Sequence, residues 1–353
     1  MSAVQLIEVL PQHSFNESSL WRYLREHLEG FEEPARLQQF QGGQSNPTFL
    51  ISTPARRFVL RKKPPGQLLP SAHLVEREFR VLRALQSQAV PVPAAHLLCE
   101  DPAVIGTAFF VMDHVDGRVL SDVSLPGLSR EARRALYEDS MRVLAQIHRV
   151  DWRASGLADF GKPERYVARQ LERWTRQYLA SQTEDNPTMT GLIEWLQARV
   201  PTSDETTLVH GDFRLGNLIV HPTEARVVAV LDWELATLGH PLGDLAYACM
   251  FYRFPQNQML SGLAGLDLEA LGIPDERELT QMYCFHAGIH AGRAALEQMD
   301  FFLAFAFFRS AAITQGVYAR ALQGNAADRR AIEHGRVAKV AAQIGWEIAN
   351  GAA

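Results

Sequence analysis

Cysteine is scarce: Cys99, Cys249 and Cys284 are the three in 353 residues. None stands in a C-x-x-C pair, so neither a disulfide framework nor a zinc site is indicated, and a reducing cytoplasm is the expected compartment. An excess of one charge is also missing. Thirty-five Lys and Arg against 40 Asp and Glu give a formal net charge of -5, so no global basic field draws the chain to nucleic acid or to an anionic membrane. Long apolar runs are absent as well. The most apolar stretch, Phe301 to Phe308, ends at Arg309, well short of the roughly 20 residues a membrane span needs, and is expected to be a buried helix. The opening MSAVQLIEVLPQHSF lacks the basic start and apolar core of a signal peptide. No G-x-x-x-x-G-K-[ST] and no G-x-G-x-x-G occurs, so P-loop and dinucleotide-binding readings lack their fingerprints. What is present is ordinary globular composition, 47% hydrophobic and 21% charged, with length for two cores. A small molecule is the expected partner.

The pattern changes along the chain. Ser14 and Glu17 have capping-box spacing, and Leu20, Leu24 and Leu28 predict an amphipathic helix ending near Gly30. From Leu37 to Lys63 the pattern is that of strands: a Gly42-Gly43 turn, then Thr48 to Ser52 and Arg57 to Lys62. A proline-rich connection from Pro64 to Pro70 leads into a helix carrying Leu74, Phe79, Val81, Leu82 and Leu85, and two more strands are expected near 95–99 and 106–113. Beyond Gly117 helices dominate, near 129–149, 164–181, 188–199, 276–298, 300–322 and 328–349, with strands only around 207–233. The fold class expected is α+β in two lobes: residues 1–115 as an antiparallel sheet with one helix, and residues 116–353 as a larger, mainly helical lobe.

One segment carries chemistry. Thr207-Leu208-Val209 is expected to run as a strand into the loop His210-Gly211-Asp212-Phe213-Arg214-Leu215-Gly216-Asn217, and Leu218-Ile219-Val220 out of it. After a turn at 222–225, an apolar strand leads to Leu231-Asp232-Trp233-Glu234. An Asp five residues before an Asn, with another acid ending the next strand, is what phosphoryl transfer needs around a metal-bound nucleotide. Mg2+ takes few protein oxygens and completes its shell with phosphate and water, so Asn217 and Asp232 suffice as ligands. If strand alternation continued that far, Asp232 and Glu234 would share a face.

These segments resemble the aminoglycoside phosphotransferase and choline kinase family, small-molecule relatives of the protein kinases. The resemblance spans about residues 35 to 320 and is most specific over 208–246. It implies a protein-kinase-like fold, ATP and Mg2+ as cofactors, and transfer of the γ-phosphate to a small-molecule hydroxyl. It assigns Asp212 as the residue that deprotonates the acceptor, His210 as a loop residue that orients it, and Asn217 and Asp232 as metal ligands. Glu234 is a further metal contact or a substrate-side acid. Asp244 matches an Asp that steadies the loop from a helix N-terminus. For the nucleotide it implies Gly43, Ser45 and Asn46 over the phosphates, Val59 and Arg61 on the phosphate strand, Glu78 as the acid pairing with that base, and Met112 and His114 at the hinge that receives adenine. Arg61 stands where protein kinases have Lys, with Lys62 or Lys63 as possible substitutes. Residues 59–73, 210–217 and 231–247 are similar to the phosphotransferase domain fused to acyl-CoA dehydrogenases, which implies a hydroxyacyl-CoA acceptor. An aminoglycoside, choline or a sugar is the alternative acceptor. A nucleotide-binding pseudokinase is the alternative outside catalysis, although its signature, loss of the catalytic Asp, Asn or metal Asp, is not present.

Other features are weighed against it. His286 and His290 have one-face helical spacing but no third ligand, so packing or substrate contact is expected. The Phe301, Phe302, Phe305, Phe307 and Phe308 cluster is expected to be core rather than an acyl pocket. Arg293 and Arg309 are expected to meet an anionic substrate or a buried ion pair.

Overall fold

In a computed structural model, residues 5–41, 46–64, 73–202, 205–257, 261–289, 292–323 and 332–351 are described, residues 292–297 by backbone alone. The expected glycine turn with Gly43 and Ser45, the proline-rich connection over 65–72, His290 and the Arg293 side chain lie outside them. The chain is α+β and divides into two compact units. The first takes residues 1–120, 155–157 and 216–236, the second 121–154, 158–215 and 237–353.

The first unit contains β1 (Leu6–Ile7), α1 (Glu17–His27), β2 (Arg36–Phe40), β3 (Thr48–Ser52), β4 (Arg57–Lys62), α2 (Val75–Leu85), β5 (Ala95–Cys99), α3 (Pro102–Ile105), β6 (Phe109–Asp113) and β7 (Arg118–Val119). Its sheet is antiparallel, in the order β1-β2-β3-β4-β6-β5. Phe49, Ile51, Phe58, Leu60, Phe109 and Val111 are buried with Leu20 and Leu24 of α1, while α2 turns Val81, Leu82 and Leu85 inward. The cap of α1 differs from the expected one. Asn16 accepts the Ser19 amide, and the Ser14 hydroxyl instead donates to the Pro11 carbonyl, because a 3-10 turn at Pro11–His13 ends there.

The second unit holds α4 (Arg130–His148), α5 (Tyr166–Ser181), α6 (Pro187–Gln197) and β8 (Thr207–Val209). The chain then returns to the first unit for β9 (Leu218–Val220) and β10 (Val227–Val230). It finishes in the second with β11 (Thr237–Gly239), α7 (Pro241–Cys249), α8 (Leu268–Leu271), α9 (Glu276–Ala287), α10 (Gly292–Leu322) and α11 (His334–Ala349). A linear boundary at 115/116 misses this return. Strand β9 pairs with both β10 and β7, and the Val230 amide donates to the Pro91 carbonyl, so residues 216–236 pack with the first unit. The approach of β7 requires a glycine: a Cβ on Gly117 would lie 2.2 Å from the Ile219 side chain.

In the second unit α10 is one 31-residue helix, and the break expected near 299 falls at Gly288 instead, whose φ of 74 closes α9. Phe302, Phe307 and Phe308 are fully buried and Phe301 and Phe305 nearly so, which makes the cluster core. Residues Gln298–Leu322 are long and apolar enough to cross a membrane by length and composition, yet 56% of the apolar window is buried inside the protein. A core helix passes the same test.

Candidate active site

In the first unit a cavity of about 530 Å3 is lined by Leu50, Val59, Met112, Leu120, Ile219 and Val230, with Arg61, Glu78 and Asp232 among its charged residues, which also include Arg57, Asp113, Asp116 and Arg118. Both size and apolar walls suit a small organic ligand. His114 also lines it; burial, then Arg57, lowers the imidazole pKa, and Asp116 3.8 Å away opposes this. Asn46 is buried elsewhere, its Oδ1 3.2 Å from His73 Nδ1.

Arg61 organises the charges. Its Nε lies 2.9 Å from Glu78, its Nη2 2.7 Å from Asp232 Oδ1 and 3.8 Å from Glu234. Its neighbours face elsewhere: Lys62 sits over the Phe15 ring at 4.8 Å, and Lys63 pairs with Glu76 at 2.8 Å. Strand alternation separates Arg61 from Lys62, and of the three Arg61 is the one among the residues lining the cavity. Glu78 is 2% exposed. Burial pushes its pKa up to about 7, against the opposing pull of Arg61 and of the Trp233 backbone amide. A carboxyl raised from 4.5 to about 7 contributes stability that is complete below 4.5 and lost as pH rises through 7. Wild type should therefore lose, between those limits, on the order of 3 kcal/mol relative to Glu78→Gln in urea unfolding without nucleotide. Parallel pH profiles would contradict this.

Strand conformation stops before Asp232. The residue has φ 66 and ψ 58, left-handed backbone that is uncommon outside glycine and favours Asp among the exceptions, and a 3-10 turn follows over Trp233–Leu235. The alternation that would have set Asp232 and Glu234 on one strand face is thus broken; both instead reach Arg61. Strain of this kind gathers at functional sites. The Trp233 indole anchors the turn by donating to the Val230 carbonyl, and the Leu231 amide donates to the Asn217 carbonyl at 2.8 Å, tying Asn217 to the segment that carries Asp232. The donor set fits a hard divalent cation: one carboxamide and two carboxylates, with Asp232 and Glu234 side chains partly accessible. No group of three or more His, Cys, Asp or Glu among the described residues makes a metal cage alone, so a cation here would complete its shell from a ligand.

In the second unit the loop after β8 turns at Gly211, where φ is 83 and a side chain would be strained. Asp244, 3% exposed in the first turn of α7, receives the His210 amide at 2.6 Å and the Gly211 amide at 2.8 Å, and lies 3.4 Å from His148 Nε2. Burial alone would raise its pKa; the His148 contact and the loop amides outweigh it and hold it below the ordinary value. His210 is fully buried, its Nδ1 accepting the Asp212 amide at 3.2 Å. Asp212 has Arg214 Nε 3.4 Å away and a hydrogen bond with Tyr247, whose pKa is pushed up by burial and then by Asp212. Among the described residues Arg309 forms no ion pair with an acid. It donates to the Gly211 carbonyl at 2.7 Å and stands 5.6 Å from the Tyr247 ring centroid. His286 lies 3.8 Å from Glu138, a surface contact.

Sequence reasoning missed Tyr247. The signal was available: Tyr247 follows Asp244 by three residues, one turn along the same helix face.

Residues 36–279 match the sequence profile of the phosphotransferase enzyme family, more than half of the chain. The chain belongs to that family. This phosphotransferase is 46% identical over 341 residues, 96% of its length, to mouse acyl-CoA dehydrogenase family member 10, and covers 31% of that protein. It spans less than half the length of the curated relatives it matches. Among solved structures, a putative aminoglycoside phosphotransferase of Ralstonia eutropha is 46% identical, with a TM-score of 0.86 over 96% of this chain and 99% of that one. An aminoglycoside phosphotransferase variant crystallised with ADP and hygromycin B is 17% identical, with a TM-score of 0.62 over 94% of this chain and 98% of that one. That likeness is one of fold: the two-lobed, kinase-like α+β architecture. The phosphotransferase is a small-molecule kinase with an alcohol acceptor.

Proposed function

We propose that this kinase uses ATP and Mg2+ to phosphorylate the hydroxyl of a hydroxyacyl-CoA. The observation that carries the nucleotide half is Arg61, fixed by a buried Glu78 and by Asp232 in a largely apolar cavity. Adenine fits the apolar part, with Val59, Met112 and His114 about it. Arg61 holds phosphate oxygens, where the planar guanidinium is at least as suitable as an ammonium. Asn217 and Asp232, with Glu234 beside them, would hold Mg2+, which neutralises charge on the β- and γ-phosphates. Asp212 aligns the acceptor hydroxyl and takes its proton, and Tyr247 and Arg214 orient that carboxylate. Positioning and charge stabilisation carry most of the rate. The acyl-CoA acceptor rests on the relatives: a kinase sharing a chain with an acyl-CoA dehydrogenase is expected to share its class of substrate.

Asp232→Ala tests the metal assignment. It should weaken binding of a non-hydrolysable Mg2+-ATP analogue at least about tenfold while changing affinity for the metal-free analogue much less. Equal losses with and without Mg2+ would remove Asp232 from the metal site.

A further inference from the structure

Helix α5 places Arg169, Arg173 and Arg176 at spacings of four and three residues, on one face. Like charges at such spacings oppose helix formation, and the first turn of α5 holds no acid to favour its macrodipole. The arrangement is not relieved by neighbours. Arg165 has Glu172 3.8 Å away, but among the described residues no carboxylate pairs with Arg169, Arg173, Arg176 or Arg309. Arg169 donates to the Lys162 carbonyl and Arg309 to that of Gly211. Arg173 and Arg309 stand 5.4 and 5.8 Å from the Trp174 ring, and the indole Nε1 and Arg309 Nε have no acceptor. Arg309, Arg169 and Arg173 all act electrostatically on the half-buried Tyr166. Asp244, which opposes them there, is already engaged by His148 and two backbone amides.

The cluster is continuous with the loop. Arg309 reaches from Trp174 to Tyr247, and Tyr247 bonds to Asp212, which also has Arg214 beside it. Arg173 and Arg176 are exposed and Arg169 half-buried, so their guanidiniums can be reached from solvent. We infer that this arginine cluster of the second unit is an anion-recognition subsite for the acceptor, taking the phosphate groups of an alcohol substrate whose hydroxyl is aligned by Asp212. The inference rests on the kinase reading and sharpens it. Guanidiniums without internal acids favour phosphate, which they grip in bidentate fashion, and repel a polycationic acceptor. The net charge of -5 leaves the chain without a global basic field, which suits a small polyanion rather than a nucleic acid.

The test is calorimetric titration of the full chain, saturated with Mg2+ and ADP so that the nucleotide cavity is filled, with coenzyme A and with pantetheine, which lacks the phosphates. Coenzyme A should bind at least about tenfold tighter than pantetheine, with an affinity that falls as salt rises. Arg169→Gln/Arg173→Gln should abolish that advantage and leave ADP affinity and the urea midpoint at wild-type values. If that pair shifts the midpoint, Arg173→Gln alone, at an exposed position, should lose about threefold or more. Coenzyme A binding no tighter than pantetheine, binding not at all, or binding the folded variants as it binds wild type would overturn the subsite. A wild type that shows the coenzyme A advantage yet transfers no phosphate would overturn the kinase reading and leave the subsite standing.

Discussion

Asp212→Ala will lower single-turnover phosphate transfer by about three orders of magnitude and leave ADP affinity within about twofold of wild type. The size follows from the contribution of a positioned proton acceptor, 10²- to 10⁴-fold. The selectivity follows from the chain's organisation: Asp212 belongs to the second unit, whereas Arg61, Glu78 and Asp232 line a cavity of the first. Asp212 is bonded to His210, Arg214 and Tyr247, all of the second unit. Rapid quench with labelled ATP and fluorescence titration with ADP read the two quantities separately. Transfer at the wild-type rate removes Asp212 as the base, and a parallel collapse of ADP binding makes its role structural.

Asp244→Ala will destabilise the protein by about 4 kcal/mol. Two buried backbone donors, at His210 and Gly211, lose their acceptor, and each orphaned donor costs about 1–3 kcal/mol. Asp244→Asn should cost less, because its carbonyl oxygen still accepts one amide while its amino group faces the other. Because the Asp244 pKa is held below 3.8, its contribution is present above that pH and is lost as pH falls through the lowered value. The wild-type advantage over Asp244→Ala should therefore be constant near neutrality and shrink only in strong acid. Urea unfolding across pH measures it; equal midpoints for wild type and Asp244→Ala would contradict the loop-anchoring role.

Much of this site was legible in sequence because its parts are close in sequence and their chemistry is restrictive. The Asp212-to-Asn217 spacing, the acid opening the 232–234 segment and Asp244 at a helix start each carry a local signal. The sheet strands were legible from alternation, as were most helices from period. What escaped was decided by tertiary pairing. That residues 216–236 pack with the first unit depends on β7 meeting β9 at Gly117, which no local pattern announces. The left-handed turn at Asp232 overrides the alternation of the strand before it. That Arg61 meets Asp232 while Lys62 lies over Phe15 and Lys63 pairs with Glu76 depended on tertiary packing. Tyr247 and Arg309 act on a loop far away in sequence, and Arg309 pairs with a carbonyl, which charge patterning does not anticipate.

Hydroxyacyl-CoA kinase activity is measured by a single-turnover reaction of the wild-type chain with γ-labelled ATP, Mg2+ and a series of hydroxyacyl-CoA thioesters, with products resolved by mass. A phosphoacyl-CoA carrying the label on its former hydroxyl is expected, formed stoichiometrically with ADP and about a thousandfold more slowly with Asp212→Ala. Tight ATP binding with no labelled acceptor, in this series or among sugars, choline and aminoglycosides, would contradict it and leave a nucleotide-binding regulator.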